Sequence, residues 1–277
     1  MKEKKAAVTM VGQFIENRSL IWNLARNDMK KKFAGSSLGV VWAFVQPVVT
    51  VLVYWFVFEK GLNSKATDLR TGIEVPFVLW LMSGLIPWFY FQEAVNGGTG
   101  VLVEYSYLVK KVVFHIEMLP LVKMISAFFT HLFFVLFAIV LFACMGYLPS
   151  FYLLQVFYYS LCMMMFTMGV VYITSAVNVF FRDMKEVVGI LLQIGIWVTP
   201  IMWTIESMAG IPAWAAAILR INPMYYIVYG YRDAFINKIG FWEHPVLTAV
   251  FWGVTVLMVA LGFSVFRKLR PHFADVL

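Results

Sequence analysis

Apolar residues occupy this chain in long blocks, and polar residues are confined to short stretches between them. From Val187 to Trp203 no residue is charged, whereas Arg182, Asp183, Lys185 and Glu186 crowd the turn just before. A helix on a soluble core keeps a polar face; a segment apolar all round is either deeply buried or crosses a membrane. Six such blocks are read as crossings, at about residues 38–58, 75–95, 118–145, 151–181, 187–203 and 246–266, allowing roughly 20 residues per crossing. The fourth exceeds what a bilayer needs and is expected to tilt or protrude. Pro47 predicts a kink in the first. The cluster Gly97-Gly98-Thr99-Gly100 predicts a helix break after the second.

Three stretches between the blocks have patterns of their own. Within residues 1–37, Ile21, Trp22, Ala25, Met29 and Phe33 recur at helical spacing, with Arg26, Lys30 and Lys31 on the other side. That is a basic amphipathic helix lying in the membrane interface. In residues 101–117, Val101, Tyr105, Leu108 and Val112 keep helical spacing while Glu104, Lys110 and Lys111 supply polar faces. A short helix along the inner membrane surface is expected there. Residues 204–244 are broken by Gly210, Pro212, Pro223, Gly230 and Gly240, yet stay rich in aromatics. Two short re-entrant helices at the outer face fit this, since irregular backbone in a membrane must be satisfied by protein or water. The expected fold is an all-α integral membrane protein, a single transmembrane domain over residues 1–277 with these three accessory elements.

Composition supports this class. The chain is 62% hydrophobic and 13% charged, against about a quarter charged in soluble domains. The net charge of +7 would suit nucleic acid, but its distribution explains it without such a partner. With the N-terminus inside, 16 of the 22 Lys and Arg residues fall on the cytoplasmic side, as orientation by positive charge requires. Both termini are then cytoplasmic, and no cleaved signal peptide is expected. Cys144 and Cys162 lie in apolar blocks and read as small hydrophobes.

The chemistry-bearing positions are sparse. The first, fourth, fifth and sixth blocks hold no Asp, Glu, Lys, Arg or His in their cores; the second holds Glu93, and the third Lys123 and His131. Ion-coupled transport needs buried titratable groups, and one histidine, expected to bond between helices, is thin support. The glycine cluster lacks the Lys-Ser/Thr of a phosphate-binding loop. No catalytic residue, metal site or cofactor is expected on this chain. Work against a gradient would then draw on ATP and Mg bound by another chain. Glu104, Tyr105, Leu108, Lys110 and Lys111, with the turn at Arg182 and Asp183, are the inner-surface elements such a partner could push; they also suit plain connecting loops. Trp197, Trp203, Trp214, Tyr225, Tyr226 and Tyr229 read either as an interfacial aromatic belt or as an outer gate and lining that offers flat amphipathic faces to a sliding sugar polymer.

Several stretches, in order along nearly the whole chain, resemble one family. They are Leu38-Gly39 with Trp42 and Pro47; Gly84-Leu85-Ile86-Pro87-Trp88-Phe89; Leu119-Pro120; Asn178-Val179-Phe180-Phe181-Arg182-Asp183; Thr199-Pro200-Ile201; and Asn222-Pro223-Met224. The chain resembles the membrane subunits of ABC-2 type polysaccharide and polyol-phosphate exporters, which move O-antigen, capsule or teichoic acid chains. The resemblance implies a bacterial cytoplasmic-membrane permease that pairs with a second copy of itself and two ABC ATPase subunits and carries a lipid-linked glycan. It places the segment before Leu38 and Gly39 near the point where a lipid head group arrives. Arg26, Lys30 and Lys31 could attract that group, or equally anionic membrane lipid. An ABC-2 type exporter of drugs or small lipids is the alternative within the same superfamily.

Overall fold

The structure is a computed structural model that describes residues 12, 14–32, 35–61, 66–67, 72–109, 115–208 and 210–277. Among the described residues it is all-α apart from a two-residue antiparallel ladder that pairs Ala66 with Val75. Helix α1 spans Arg18–Lys32 and α2 spans Trp42–Trp55, running into a π-turn at Phe56–Gly61. Then come α3 (Phe77–Glu104), the short α4 (Ser106–Val109), α5 (Met118–Cys144), α6 (Gln155–Phe180) and α7 (Met184–Val198). Helices α8 (Ala213–Ile221) and α9 (Pro223–Arg232) occupy the broken segment. Helix α10 (Pro245–Leu269) and the short α11 (Phe273–Val276) end the chain.

Three helical stretches among the described residues are long and apolar enough to cross a membrane: Met118–Cys144, Phe151–Phe180 and Pro245–Val276. The other three apolar blocks hold α2, α3 and α7. Helices α2 and α7 have 14 and 15 residues, or about 22 Å of helix at 1.5 Å per residue, short of a core roughly 30 Å thick. Helix α3 is long, but Gln92, Glu93 and Asn96 interrupt its apolar surface.

Helix α3 is the centre of the molecule. Leu79 to Trp88 are buried without a gap, because α5, α6, α7, α9 and α2 all pack on this one helix. The expected break at Gly97–Gly100 does not form: α3 runs through it to Glu104. Tertiary contact explains this. A Cβ on Gly98 would stand 2.4 Å from a methyl of Val171, so the glycine admits α6 rather than ending α3. Thr99 Oγ1 donates to the Val95 carbonyl and lies 2.9 Å from Thr174 Oγ1, closing the same seam. The surface helix expected over 101–112 is correspondingly absent as one piece. Residues 101–104 are the last turn of α3, α4 is a single turn, and residues 110–114 lie outside the described residues.

A second close seam joins α6 to α10. A Cβ on Gly262 would lie 2.6 Å from the Gly169 carbonyl oxygen, and one on Gly169 would lie 2.7 Å from the Met258 backbone. Small residues at such crossings let helices gain van der Waals contact where lipid removes the hydrophobic drive. Below this seam the chain end folds back. Phe273, fully buried, packs its ring near Phe180 and Phe266, and Arg270 pairs with the buried Glu117 ahead of α5.

Candidate functional site: a polar and aromatic cavity

A cavity of about 1030 Å³ lies between α2, α3, α5 and α7, with α1 at one end. That end is built on charge. Lys123 Nζ lies 2.7 Å from Asp28 Oδ1 and 2.9 Å from Glu104 Oε2. The Tyr105 hydroxyl donates to the same Asp28 oxygen at 2.8 Å. Asp28 is 6% exposed, so an unpaired carboxylate there would be costly; Lys123 and Tyr105 make it tolerable. Burial, and then the bond to Asp28, push the Tyr105 hydroxyl above its usual pKa, which keeps it a neutral donor. Through this group α1, α3 and α5 meet at one point. The apolar face of α1 completes the joint, burying Ile21 and Ala25 against Met118 and Val122.

Farther along α3 the lining becomes polar and mostly uncharged. Gln92, Glu93 and Asn96 face Gln193 of α7, Thr50 of α2, and Thr130 and His131 of α5. His131 Nε2 lies 3.2 Å from Ser160 Oγ and 3.0 Å from the Tyr231 hydroxyl, so the histidine bridges three helices. Trp42, Tyr54, Trp88 and Trp197 add flat apolar faces. Amides beside aromatic rings suit a solute with hydroxyl edges and C–H faces.

The expected site residues divide by position. Glu104 reaches the cavity mouth with its side chain 54% accessible, whereas Tyr105 is buried and Leu108 is half-buried beside it. Lys110 and Lys111 lie outside the described residues. Lys31 lines the mouth, and Arg26 and Lys30 are exposed on α1. Leu38 is exposed and Gly39 takes a left-handed φ of 53° in the turn between α1 and α2. Arg182 and Asp183 are exposed in the turn before α7. Trp197 lines the cavity, and Trp203 is tied to it through an indole N–H bond to the Trp197 carbonyl at 2.9 Å. Trp214 is 69% exposed on α8 and is not among the cavity residues. Tyr225, Tyr226 and Tyr229 are each buried within α9's packing. The Tyr226 hydroxyl meets Tyr158 and Thr248, and the Tyr229 hydroxyl donates to Glu206.

Helix α9 shows what pattern reading missed. Asn222 caps it by accepting from the Met224 amide at 3.0 Å, and Pro223 takes the first helical position. The Asn222 amide nitrogen donates to Thr199 Oγ1 at 3.1 Å. At the other end of α9, Arg232 donates to the carbonyls of Pro200 and Ile201 and lies 3.6 Å over the Trp80 ring. The two motifs Thr199-Pro200-Ile201 and Asn222-Pro223-Met224 therefore form one joint, closed by an arginine that is 1% exposed. The signal was available: a lone cation ending an apolar aromatic run is a candidate functional residue.

Comparison with known proteins places this arrangement. The chain is 25% identical over 268 residues to an O-antigen export system permease protein, RfbA, of Myxococcus xanthus, covering 97% of this chain and 99% of the relative. It is 24% identical over 262 residues to a protein of the same description from Klebsiella pneumoniae, covering 92% and 93%. The profile of the ABC-2 type transporter family matches residues 19–236, from α1 through the end of the α9 joint, and the chain belongs to that family.

Proposed function

We propose that the chain is the membrane-spanning permease subunit of an ATP-driven exporter that moves a lipid-linked polysaccharide across the bacterial cytoplasmic membrane. The observation that carries this reading is the cavity, where amide and aromatic side chains stand together between four helices and suit a hydroxylated polymer held weakly enough to slide. Relatives described as O-antigen export permeases along nearly their full length support the same substrate class.

In this reading six segments cross the membrane, α2 and α7 being extended by the turns that follow them, and both termini are cytoplasmic. A second copy completes the pathway. Two ABC ATPase subunits dock at the inner surface and hold the ATP and Mg, and this chain binds neither. The arriving head group meets Lys31 and Lys185 at the cavity mouth. A push on the Glu104 end moves α3, and because α3 is packed by five helices the displacement reaches α7 and the α9 joint. The gate then opens as a joint rather than as a loose tyrosine cluster.

The test is reconstitution of the permease with its ATPase in vesicles, with a lipid-diphosphate-linked glycan in the outer leaflet on the ATP side. ATP-dependent appearance of glycan in the lumen is expected. Movement of a small lipid or drug with no glycan transport would sink the polysaccharide reading.

A further inference from the structure

Resting on the export reading, the charge layout of the cavity says which polymers it passes. Among the described residues lining it, the cations are Lys31, Lys123 and Lys185. All three sit at the cytoplasmic end. Lys31 lies 6.0 Å from the Tyr105 ring centre, and Lys123 is bound to Asp28 and Glu104. Lys185 runs beside Gly100, one turn before the end of α3. Glu93 lies eleven residues back along the same helix, or about 16 Å into the membrane at 1.5 Å per residue. From Glu93 outward to Trp88 and Trp197, the described lining holds no Lys or Arg; its imidazole, His131, is engaged with Ser160 and Tyr231. Outside the lining, Arg232 is buried and spent on the Pro200 and Ile201 carbonyls and the Trp80 ring, and Lys60, just past α2, lies 5.7 Å from the Trp55 ring centre.

Pores that pass phosphate and other anions carry Arg or Lys along the path, whereas acidic side chains favour cations. A charge far from water without a counter-charge is costly. Among the described residues, the deep part of this cavity offers hydrogen-bonding amides and hydroxyls, aromatic faces, the His131 imidazole and one carboxylate. We propose that the cavity selects an uncharged glycan and rejects a polyol-phosphate chain, with Glu93 as the specificity-determining residue. A single anionic head group meets the lysine-lined mouth once per chain. A polyanion would present a phosphate at every repeat to a stretch whose described lining holds no Lys or Arg.

The experiment compares two lipid-diphosphate-linked polymers of equal length in the reconstituted permease–ATPase complex: a neutral hexose homopolymer and poly(glycerol phosphate). The wild-type complex is expected to move the neutral chain at least about tenfold faster, a barrier difference of roughly 1.4 kcal/mol. Glu93→Lys should narrow that ratio by raising transport of the anionic chain, and Glu93→Gln should shift it in the same direction by less. Equal or faster transport of the anionic polymer by wild type overturns the selectivity while leaving export intact. A ratio unmoved in both folded variants removes Glu93 from it. Failure of wild type to move either polymer under ATP overturns the export reading itself. The wild-type comparison stands alone should a variant fail to fold.

Discussion

A guanidinium inside a membrane protein is stable only when carbonyls or acids take up its donors, and Arg232 has that environment. It donates to two carbonyls freed by the bend at Pro200 and stacks on Trp80, an attraction that strengthens as water is removed. Gly84 makes room: a Cβ there would stand 3.2 Å from the guanidinium. Arg232→Met should leave both carbonyls unsatisfied and cost about 3 kcal/mol of stability, read as a lowered melting temperature of the purified permease in detergent. Arg232→Lys should recover only part of this, because a point ammonium cannot serve two carbonyls and a ring with the same fork. Equal melting of wild type and Arg232→Met would mean that the residue does not hold the joint. From sequence Arg232 counted simply as an outer-side charge; charge counting assigns a side of the membrane but is blind to a cation's partners, which here come from 31 and 32 residues away.

Elements were legible where one local pattern decided them. Helices α5, α6 and α10 are long apolar runs whose composition alone suffices. The amphipathic α1 and the short helices α8 and α9 also fall where periodicity and the proline and glycine breaks place them. The misreading at Gly97–Gly100 arose because glycine's local message, a break, and its tertiary message, close approach, are identical in sequence. Only the position of Val171 separates them. The chain end was invisible for a similar reason: α11 has four residues and no periodicity to read. Yet Phe273 is fully buried, and Arg270 neutralises Glu117 at the root of α5. Phe273→Ala should cost about 3–5 kcal/mol by leaving a cavity between α6 and α10. Arg270→Met, which strands a buried carboxylate, should be comparably damaging. Both are checked by thermal unfolding. Export by a folded Arg270→Met complex that equals wild type per ATP hydrolysed would show that the brace serves stability alone.

At the scale of the whole molecule, one continuous helix, α3, joins the charged end of the cavity to the Arg232 joint. Helix α3 carries Glu104 at the mouth and Trp80 beneath Arg232, some 24 residues apart, or about 36 Å of helix. A buried, densely packed rod of that length transmits displacement because its neighbours repack between discrete arrangements rather than stretch. Glu104 is the exposed handle of the rod, and its ion pair with Lys123 contributes only about 0–1 kcal/mol at such exposure. Lys123 keeps Asp28 as partner whatever happens at Glu104, so the joint of α1, α3 and α5 survives its loss. Glu104→Lys should therefore leave the melting temperature of the isolated permease nearly unchanged. On the proposed export function, it should weaken retention of the ATPase subunits during purification, or lower the glycan moved per ATP hydrolysed. The pairing of a preserved fold with lost coupling is the discriminating result. Loss of both would make Glu104 a structural residue, and retention of both would move the contact with the ATPase elsewhere on the inner surface. The second outcome would leave α3 as the rod but give the push to α1, which the Asp28–Lys123 pair already ties to it.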